Sequence, residues 1–220
     1  MVQPYTLKFL KDLRKNNNKP WFDAHRDQYD SAKEDIISLA AELIRAIAVF
    51  DSLVGNLQPK ECIFRINRDI RFSKDKTPYK TNMACYFNKA GKKGNGAGYY
   101  LHIEPGKSFA AGGIWMPAAP DLAKIRQEID YGFDEWEKLT SNFKFKKQFP
   151  EGLSGNEVLT RPPKGYDENN RAIDFIKMKS FVISKPFADI EVLGGEFVKE
   201  VAKTFLHINP LVNFLNKAID

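Results

Sequence analysis

The stretch from residue 65 to residue 80, RINRDIRFSKDKTPYK, carries six basic and two acidic residues. Clustered guanidinium and ammonium groups bind phosphate and carboxylate groups, and a turn with exposed backbone N–H groups strengthens such a site. We therefore interpret this stretch, called the basic motif below, as a candidate site for a small anionic ligand that is phosphate- or carboxylate-bearing. The candidate ligand-binding residues are Arg65, Arg68, Arg71, Lys74, Lys76, Tyr79 and Lys80.

Two other interpretations of the basic motif stay open. The motif can be purely structural, with its cations paired in an ion-pair network, although two aspartates that each bridge two bases satisfy at most four of six cations. It can also bind nucleic acid. The net charge of +6 weakens that alternative, because the motif supplies 6 − 2 = +4 and leaves only +2 for the rest of the chain. The lysine- and glycine-rich stretch NKAGKKGNGAG favours nucleic acid but lacks the Gly-Lys-Ser/Thr of a P-loop.

Three residues are weak candidates for catalysis. His102 and Glu104 share one face of a predicted strand, and with Asp69 or Arg71 opposite on a neighbouring strand they could form an acid–base or metal constellation. The alternative is an ordinary hydrogen-bonded sheet surface. No Cys or His pair has metal-ligand spacing, and the Gly-x-Ser-x-Gly motif is absent, so we expect neither a metal nor a cofactor. Whether the protein is an enzyme stays open.

Length and composition predict one α+β domain that spans residues 1–220. The apolar fraction of 43% is typical of a globular chain of this size. The first residues lack the apolar core of a secretory signal, and no run is long enough to cross a bilayer. The two cysteines, Cys62 and Cys85, are expected to be reduced and buried, which points to the cytoplasm and to no membrane contact. The sequence indicates no oligomeric state.

Alternation predicts the elements that position the motif. In CIFRINRDIRFS, Phe64, Ile66, Ile70 and Phe72 alternate with polar residues, which is typical of a half-buried strand. Arg68 would then lie on the apolar face, where we expect it to be buried and paired with a carboxylate from a helix. Three strands follow at TNMACYFNKA, YYLHIEP and SFAAGGIWMP. The stretch GKKGNGAG between the first two of these is expected to be an exposed, mobile loop.

Short consecutive strands predict an antiparallel β-meander sheet with helices packed mainly on one face. Helical periodicity indicates helices over residues 5–15, from Trp21 to about Phe50 with an interruption near Asp30, and over residues 120–143. A further strand is expected at Ser180 to Ser184. One or two helices around Pro210 end the chain.

The basic motif also carries a family resemblance. Its Arg-Asp-x-Arg-Phe-Ser and Asp-Lys-x-Pro-Tyr-Lys segments are similar to the signature of the family catalogued as domain of unknown function 2461. Other segments follow in the order that this family shows: NNNKPWFDAHRDQYD, GYYLHIEP, AGGIWMP, IRQEI, PPKGY and PLVNFLNKAI. The resemblance covers almost the whole chain. It implies no activity, so function has to be argued from the residues themselves.

Overall fold

A computed structural model describes residues 1–89, 91, 94–154 and 157–220. The helices are α1 (Pro4–Lys15), α2 (Lys19–Ala24), α3 (Arg26–Ile47), α4 (Pro59–Cys62), α5 (Ala119–Tyr131), α6 (Phe133–Ser141), α7 (Phe143–Gln148), α8 (Ile173–Ile176), α9 (Asp189–Val192) and α10 (Phe197–Ile219), with a 3-10 helix at Ser52–Asn56. The strands are β1 (Met83–Phe87), β2 (Gly98–Ile103), β3 (Ser108–Ile114) and β4 (Phe181–Phe187).

The four strands form an antiparallel sheet in the order β1-β2-β3-β4, which confirms the predicted α+β class and the meander. The chain divides into two compact units. One comprises Met1–Lys93, Tyr100–Ala110 and Pro186–Lys203, and the other comprises Gly94–Tyr99, Ala111–Lys185 and Thr204–Asp220. The prediction of a single domain stays a prediction. Among the described residues, no helix is long and apolar enough to span a membrane.

In the first unit, α1 packs against α3 through an apolar side that contains Leu7, Leu10 and Leu13. The predicted helix from Trp21 to about Phe50 is correct in extent, but its interruption lies at His25 rather than near Asp30. The imidazole of His25 explains the position of the break. It stacks on Trp21 with ring centroids 4.1 Å apart, and its Nδ1 lies 2.8 Å from the Trp21 carbonyl oxygen.

The predicted strand at the start of the basic motif is wrong. Cys62 ends helix α4, and only isolated antiparallel bridges follow, between Ile63 and Cys85 and between Asn67 and Tyr79. Ile66 is buried as expected, but Phe72 is 95% exposed. The alternation therefore reflects burial only at the base of the hairpin, because its distal part, residues 69–76, extends into solvent.

The second unit is centred on Trp136, which is fully buried. Its ring contacts Phe175, Phe181 and Phe214, which come from α8, β4 and α10. Helix α10 is continuous through Pro210, so the alternative of a single helix at the end of the chain is the correct one. Helix and strand residues thus share one aromatic core in this unit.

The C-terminal end of the glycine-rich stretch GKKGNGAG is buried and hydrogen-bonded, although the whole stretch was expected to be exposed and mobile. Ala97 is buried, its N–H donates to Oδ1 of Asn216 at 2.8 Å, and Nδ2 of Asn216 donates to its carbonyl at 3.2 Å. These bonds fix the entry into β2 to helix α10 within the second unit. The expectation of mobility also covered Lys92 and Lys93, which lie outside the described residues.

Candidate functional site

The basic motif forms an irregular antiparallel hairpin with the chain that leads into β1. Ile63 lies opposite Cys85 and Asn67 lies opposite Tyr79, so four steps on one side face six steps on the other. The longer side therefore carries a bulge between residues 79 and 85. A bulge redirects the side chains within it, and here the bulged residues Thr81 and Asn82 point their polar groups at the residues of β2.

Arg68 organises the turn of the hairpin. Its Nη1 donates to Oδ2 of Asp75 at 2.5 Å, to the Thr77 carbonyl at 3.0 Å and to the Thr77 hydroxyl, and its Nη2 lies 3.4 Å from the Ser73 hydroxyl. The Thr77 backbone N–H and Arg68 together lower the pKa of Asp75 below its ordinary value. The expected carboxylate partner is present but comes from the turn rather than from a helix, because the hairpin folds back on itself.

Asp69 and Arg71 form a second internal pair at the tip of the hairpin. Nε and Nη2 of Arg71 donate to Oδ1 and Oδ2 of Asp69 at 3.0 and 2.7 Å. This two-point contact lowers the pKa of Asp69 and raises that of Arg71. The charge of Arg71 is therefore already matched within the motif. Asp69 makes no contact with His102 or Glu104 in the described part of the chain, so the predicted three-residue acid–base group is not assembled.

Tyr79 anchors the hairpin to the helices of the first unit. Its ring is 6% exposed and stacks on Phe22 with centroids 4.0 Å apart. Asn17 holds the backbone of the same residue, because its Nδ2 donates to the Tyr79 carbonyl at 2.9 Å and its Oδ1 accepts from the Tyr79 N–H at 3.0 Å. Sequence reasoning missed Asn17, since a loop asparagine has no periodic signal that connects it with a residue so far along the chain.

Two of the remaining lysines of the motif are exposed. The ammonium group of Lys76 donates to the Ile70 carbonyl at 3.0 Å and so closes the turn. Lys74 is exposed and forms no ion pair with any described residue. Both lysines are exposed at the hairpin tip, where solvent can stabilise their charge.

Arg65 and Lys80 differ from Arg68 and Arg71, the two paired cations of the motif. Neither forms an ion pair or a side-chain hydrogen bond among the described residues. Nζ of Lys80 lies 5.4 Å from the centroid of the Phe64 ring, and Lys80 is half-buried. Desolvation lowers the pKa of Lys80, and the nearby positive charge of Arg65 lowers it further. This pair is therefore a local concentration of positive charge without an ion pair among the described residues, although Asp69 interacts with Arg65 at longer range.

A polar cluster on β2 contains the other two catalytic candidates. His102 Nε2 lies 3.1 Å from Oε2 of Glu104, and its Nδ1 lies 3.1 Å from the Tyr100 hydroxyl and 3.4 Å from Nδ2 of Asn82. Tyr100 and His102 are spaced by two along β2 and project from one face, and Glu104 follows directly after the end of the strand. The predicted pairing of His102 with Glu104 is present. Tyr100 was not anticipated, although the same alternation places it on this face.

The helix α1 completes the cluster. Nη2 of Arg14 donates to Oε1 of Glu104 at 2.9 Å, and the Thr81 hydroxyl donates to the same oxygen at 3.2 Å. The imidazole of His102 stacks on Phe109 of β3, with centroids 4.7 Å apart and planes inclined by 14°. Every polar atom of the His102 ring is thus occupied, and the ring has one orientation.

Burial determines the protonation state of this cluster. Desolvation lowers the pKa of His102, although Glu104 opposes the shift, so His102 is neutral near pH 7. Because the carboxylate of Glu104 can only accept, the imidazole proton lies on Nε2 and leaves Nδ1 as an acceptor. Desolvation, together with the charges of Cys85 and Glu104, raises the pKa of Tyr100 to about 12. Its hydroxyl is therefore protonated and donates to Nδ1.

The polar cluster and the unmatched cations meet at one aromatic ring. Phe64 contacts Tyr100 edge to face with centroids 6.1 Å apart, and the same ring lies beneath the Lys80 ammonium. The Phe64 ring thus lies between Lys80 of the basic motif and Tyr100 of the polar cluster. No group of three described His, Cys, Asp or Glu residues is arranged to hold a metal ion.

Comparison with known proteins agrees with the sequence resemblance. Residues 5–214 match the family described as "Conserved hypothetical protein (DUF2461)". No curated protein and no solved structure matches the chain. Because the match covers nearly the entire sequence, the chain belongs to the family catalogued as domain of unknown function 2461.

Proposed function

We propose that the protein binds a small anionic ligand, phosphate- or carboxylate-bearing, at Arg65 and Lys80. One observation carries this proposal. Arg68 and Arg71 form ion pairs with Asp75 and Asp69, whereas Arg65 and Lys80 form none among the described residues, although Lys80 is partly desolvated and is repelled by Arg65. An anion bound between them would neutralise both positive charges and reduce the repulsion between the two cations.

Physical chemistry favours a compact anion. A half-buried ammonium group without a counterion is unfavourable, and an anion in contact with it removes both its desolvation cost and its repulsion by Arg65. A guanidinium group binds two oxygens of a carboxylate or phosphate, and the ammonium adds a single charge. The ring of Phe64 provides an apolar wall beside the ammonium. Arg68, Lys76 and Tyr79 then support the site by holding the hairpin in shape.

Nucleic acid is a second candidate because of Phe72. Its ring is 95% exposed, lies near the Arg71 guanidinium and is flanked by Lys74 and Lys76. An exposed ring among cations suits the stacking of a base and contact with phosphates. The internal pairing of Arg71 with Asp69 reduces the charge available there, so we favour the small anion.

The proposal includes a cytoplasmic location for the protein. It is supported by the two cysteines, Cys62 and Cys85, which form no disulfide.

A thermal-shift experiment tests the proposal. Phosphate, sulfate and small carboxylates should raise the melting temperature of the wild type beyond chloride at matched ionic strength. A ligand at a hundredfold excess over its Kd stabilises the native state by about 2.7 kcal/mol, which corresponds to roughly 5 to 10 °C for a chain of this size. The double variant Arg65→Gln/Lys80→Gln should fold and should lose this increment.

The matched control is the double variant Arg71→Gln/Lys74→Gln. It removes the same charge from the same motif but leaves the proposed site intact, so it should keep the increment. If both double variants lose the shift equally, the effect comes from overall charge and the proposal fails. A shift caused only by single-stranded oligonucleotides, and removed by Phe72→Ala, would support the nucleic-acid alternative.

A further inference from the structure

We propose that Tyr100, His102 and Glu104 form a hydroxyl-activating relay in which the Tyr100 oxygen is the reacting atom. The relay would act on an electrophilic acyl, phosphoryl or sulfonyl compound that also carries an anionic group. The choice of an anionic substrate rests on the proposed function, whereas the relay itself rests on the geometry of β2. This assigns Tyr100 as nucleophile, His102 as general base and Glu104 as the group that orients the base.

The geometry follows the order that a nucleophile, a base and an orienting carboxylate require. The Tyr100 hydroxyl lies 3.1 Å from Nδ1 of His102, and Nε2 of His102 lies 3.1 Å from Oε2 of Glu104. Both distances are within hydrogen-bond reach. Because Tyr100 and His102 alternate along β2, a rigid strand sets the spacing of the nucleophile and the base, and Glu104 follows directly after the end of that strand.

The groups around the relay hold each of its members in one orientation. Arg14 and Thr81 occupy Oε1 of Glu104, which leaves Oε2 for His102. Phe109 covers one face of the imidazole. Nη2 of Arg14, 2.9 Å from Oε1 of Glu104, also holds the carboxylate in place, so that it can stabilise the imidazolium that forms when His102 accepts a proton. A sheet surface that served only to hold strands together would not need a charged residue from α1 to fix one carboxylate oxygen.

Protonation states agree with this direction of proton transfer. His102 is neutral because burial lowers its pKa, and its unprotonated Nδ1 accepts from the Tyr100 hydroxyl at 3.1 Å, with Nδ2 of Asn82 farther away at 3.4 Å. The hydroxyl of Tyr100 rests in its protonated form and becomes nucleophilic only as its proton leaves. The charged or titratable groups that face this pair are Glu104, directly after β2, Arg14 from α1 and Cys85 from β1.

In the proposed reaction, Tyr100 attacks the substrate while His102 accepts its proton. The Tyr100 oxygen forms a bond to the electrophilic carbon, phosphorus or sulfur atom, and the bond from that atom to its leaving group breaks with both electrons. The Tyr100 proton moves to Nδ1 of His102, and the resulting imidazolium is held by Glu104. Water later attacks the tyrosyl intermediate and returns the hydroxyl, with His102 again exchanging the proton. Arg65 and Lys80 would hold the anionic part of the substrate beside Phe64, which contacts both Tyr100 and the Lys80 ammonium.

Covalent labelling tests the relay. Two probes are used on the intact protein: neutral phenylmethanesulfonyl fluoride and anionic 4-(fluorosulfonyl)benzoate. Each sulfonylates an activated hydroxyl and releases fluoride, and peptide mass spectrometry identifies the modified tyrosine. We expect Tyr100 to react about 100-fold faster than Tyr131, which is 80% exposed and serves as the internal control. An inert Tyr100 would be the slower of the two because it is less exposed.

The pH dependence of the rate of Tyr100 labelling can be measured on the wild-type protein. The pKa of His102 is lowered from 6.5, so His102 is neutral above that value and Tyr100 labelling should reach a plateau there. The rate should fall as the pH drops through the lowered pKa, because protonated Nδ1 cannot accept the Tyr100 proton. The variants His102→Gln and Glu104→Gln should reduce Tyr100 labelling to the rate of Tyr131. A Tyr100 rate that never exceeds that of Tyr131, or that ignores acid, overturns the relay.

The two probes separate the relay from the anion site. The anionic probe should label Tyr100 faster than the neutral probe in the wild type, and Arg65→Gln/Lys80→Gln should remove only that preference. Fast labelling by both probes without any preference supports the relay and overturns the anion site as its substrate-holding part. An anion-induced thermal shift without fast labelling supports the anion site and overturns the relay.

Discussion

Replacement of Gly113 by alanine is expected to destabilise the protein by about 2 to 6 kcal/mol, the sum of backbone strain and overpacking. Gly113 has φ 120°, a conformation that residues with a Cβ rarely adopt. An added Cβ would also collide with the Phe181 carbonyl oxygen on β4. The collision cannot be relieved easily, because the atoms that the added Cβ would meet belong to the backbone of Phe181 and Val182, which the sheet holds in place. Chemical denaturation measures the change in the free energy of unfolding.

The matched control is Gly106→Ala. Gly106 also has a positive φ, 75°, but nothing lies within 4 Å of its added Cβ. Gly106→Ala should therefore lower the free energy of unfolding only by the strain of a left-handed alanine, about 1 to 2 kcal/mol. The excess for Gly113 measures the close approach of β3 to β4. Equal losses at both glycines would show that this approach does not limit the side chain at position 113.

Removal of the Tyr79 ring is expected to cost about 3 to 5 kcal/mol, as for other buried aromatic residues changed to alanine. The ring is buried and stacks on Phe22, so Tyr79→Ala leaves a cavity beneath the hairpin. The anion-induced thermal shift should disappear together with the stability, because Lys80 is the next residue and its position depends on this anchor. Denaturation curves and thermal shifts measure the two effects.

Tyr79→Phe separates the anchor from a direct contact with the ligand. Phenylalanine keeps the ring and its stack on Phe22 but removes the hydroxyl. We expect a change in stability within about 1 kcal/mol, the scale of one hydrogen bond, and an unchanged thermal shift with phosphate. Loss of the shift in this variant, with stability retained, would show instead that the Tyr79 hydroxyl contacts the anion.

Periodic features of the fold could be predicted from the sequence, and features that depend on single contacts could not. The alternation of apolar residues located β1, β2 and β3, and the helical spacing of Leu7, Leu10 and Leu13 located α1. The break at His25 had no signal in that spacing, because it depends on a ring stack on Trp21 and a contact with its carbonyl. The apolar pattern also misplaced Phe72, since alternation does not distinguish a core face from a hairpin in solvent.

The candidate site was predictable in its residue types but not in its pairings. The excess of cations in the basic motif was visible from composition, and the shared face of His102 and Glu104 from parity. Which cations are matched was not visible, because Arg68 and Arg71 find aspartates within the turn. Thr81 and Asn82 could not be identified, since the bulge that turns them toward Glu104 and His102 arises only from the register of pairing.

The pKa of Lys80, followed by NMR of its side chain, tests the anion site most directly. Without ligand, the pKa should lie below the ordinary lysine value of 10.5, because the ammonium is partly desolvated and close to Arg65. Phosphate should raise this pKa, since an anion in contact stabilises the ammonium form, whereas chloride at equal ionic strength should raise it much less. A Lys80 pKa that is equal in phosphate and chloride would contradict the proposed site.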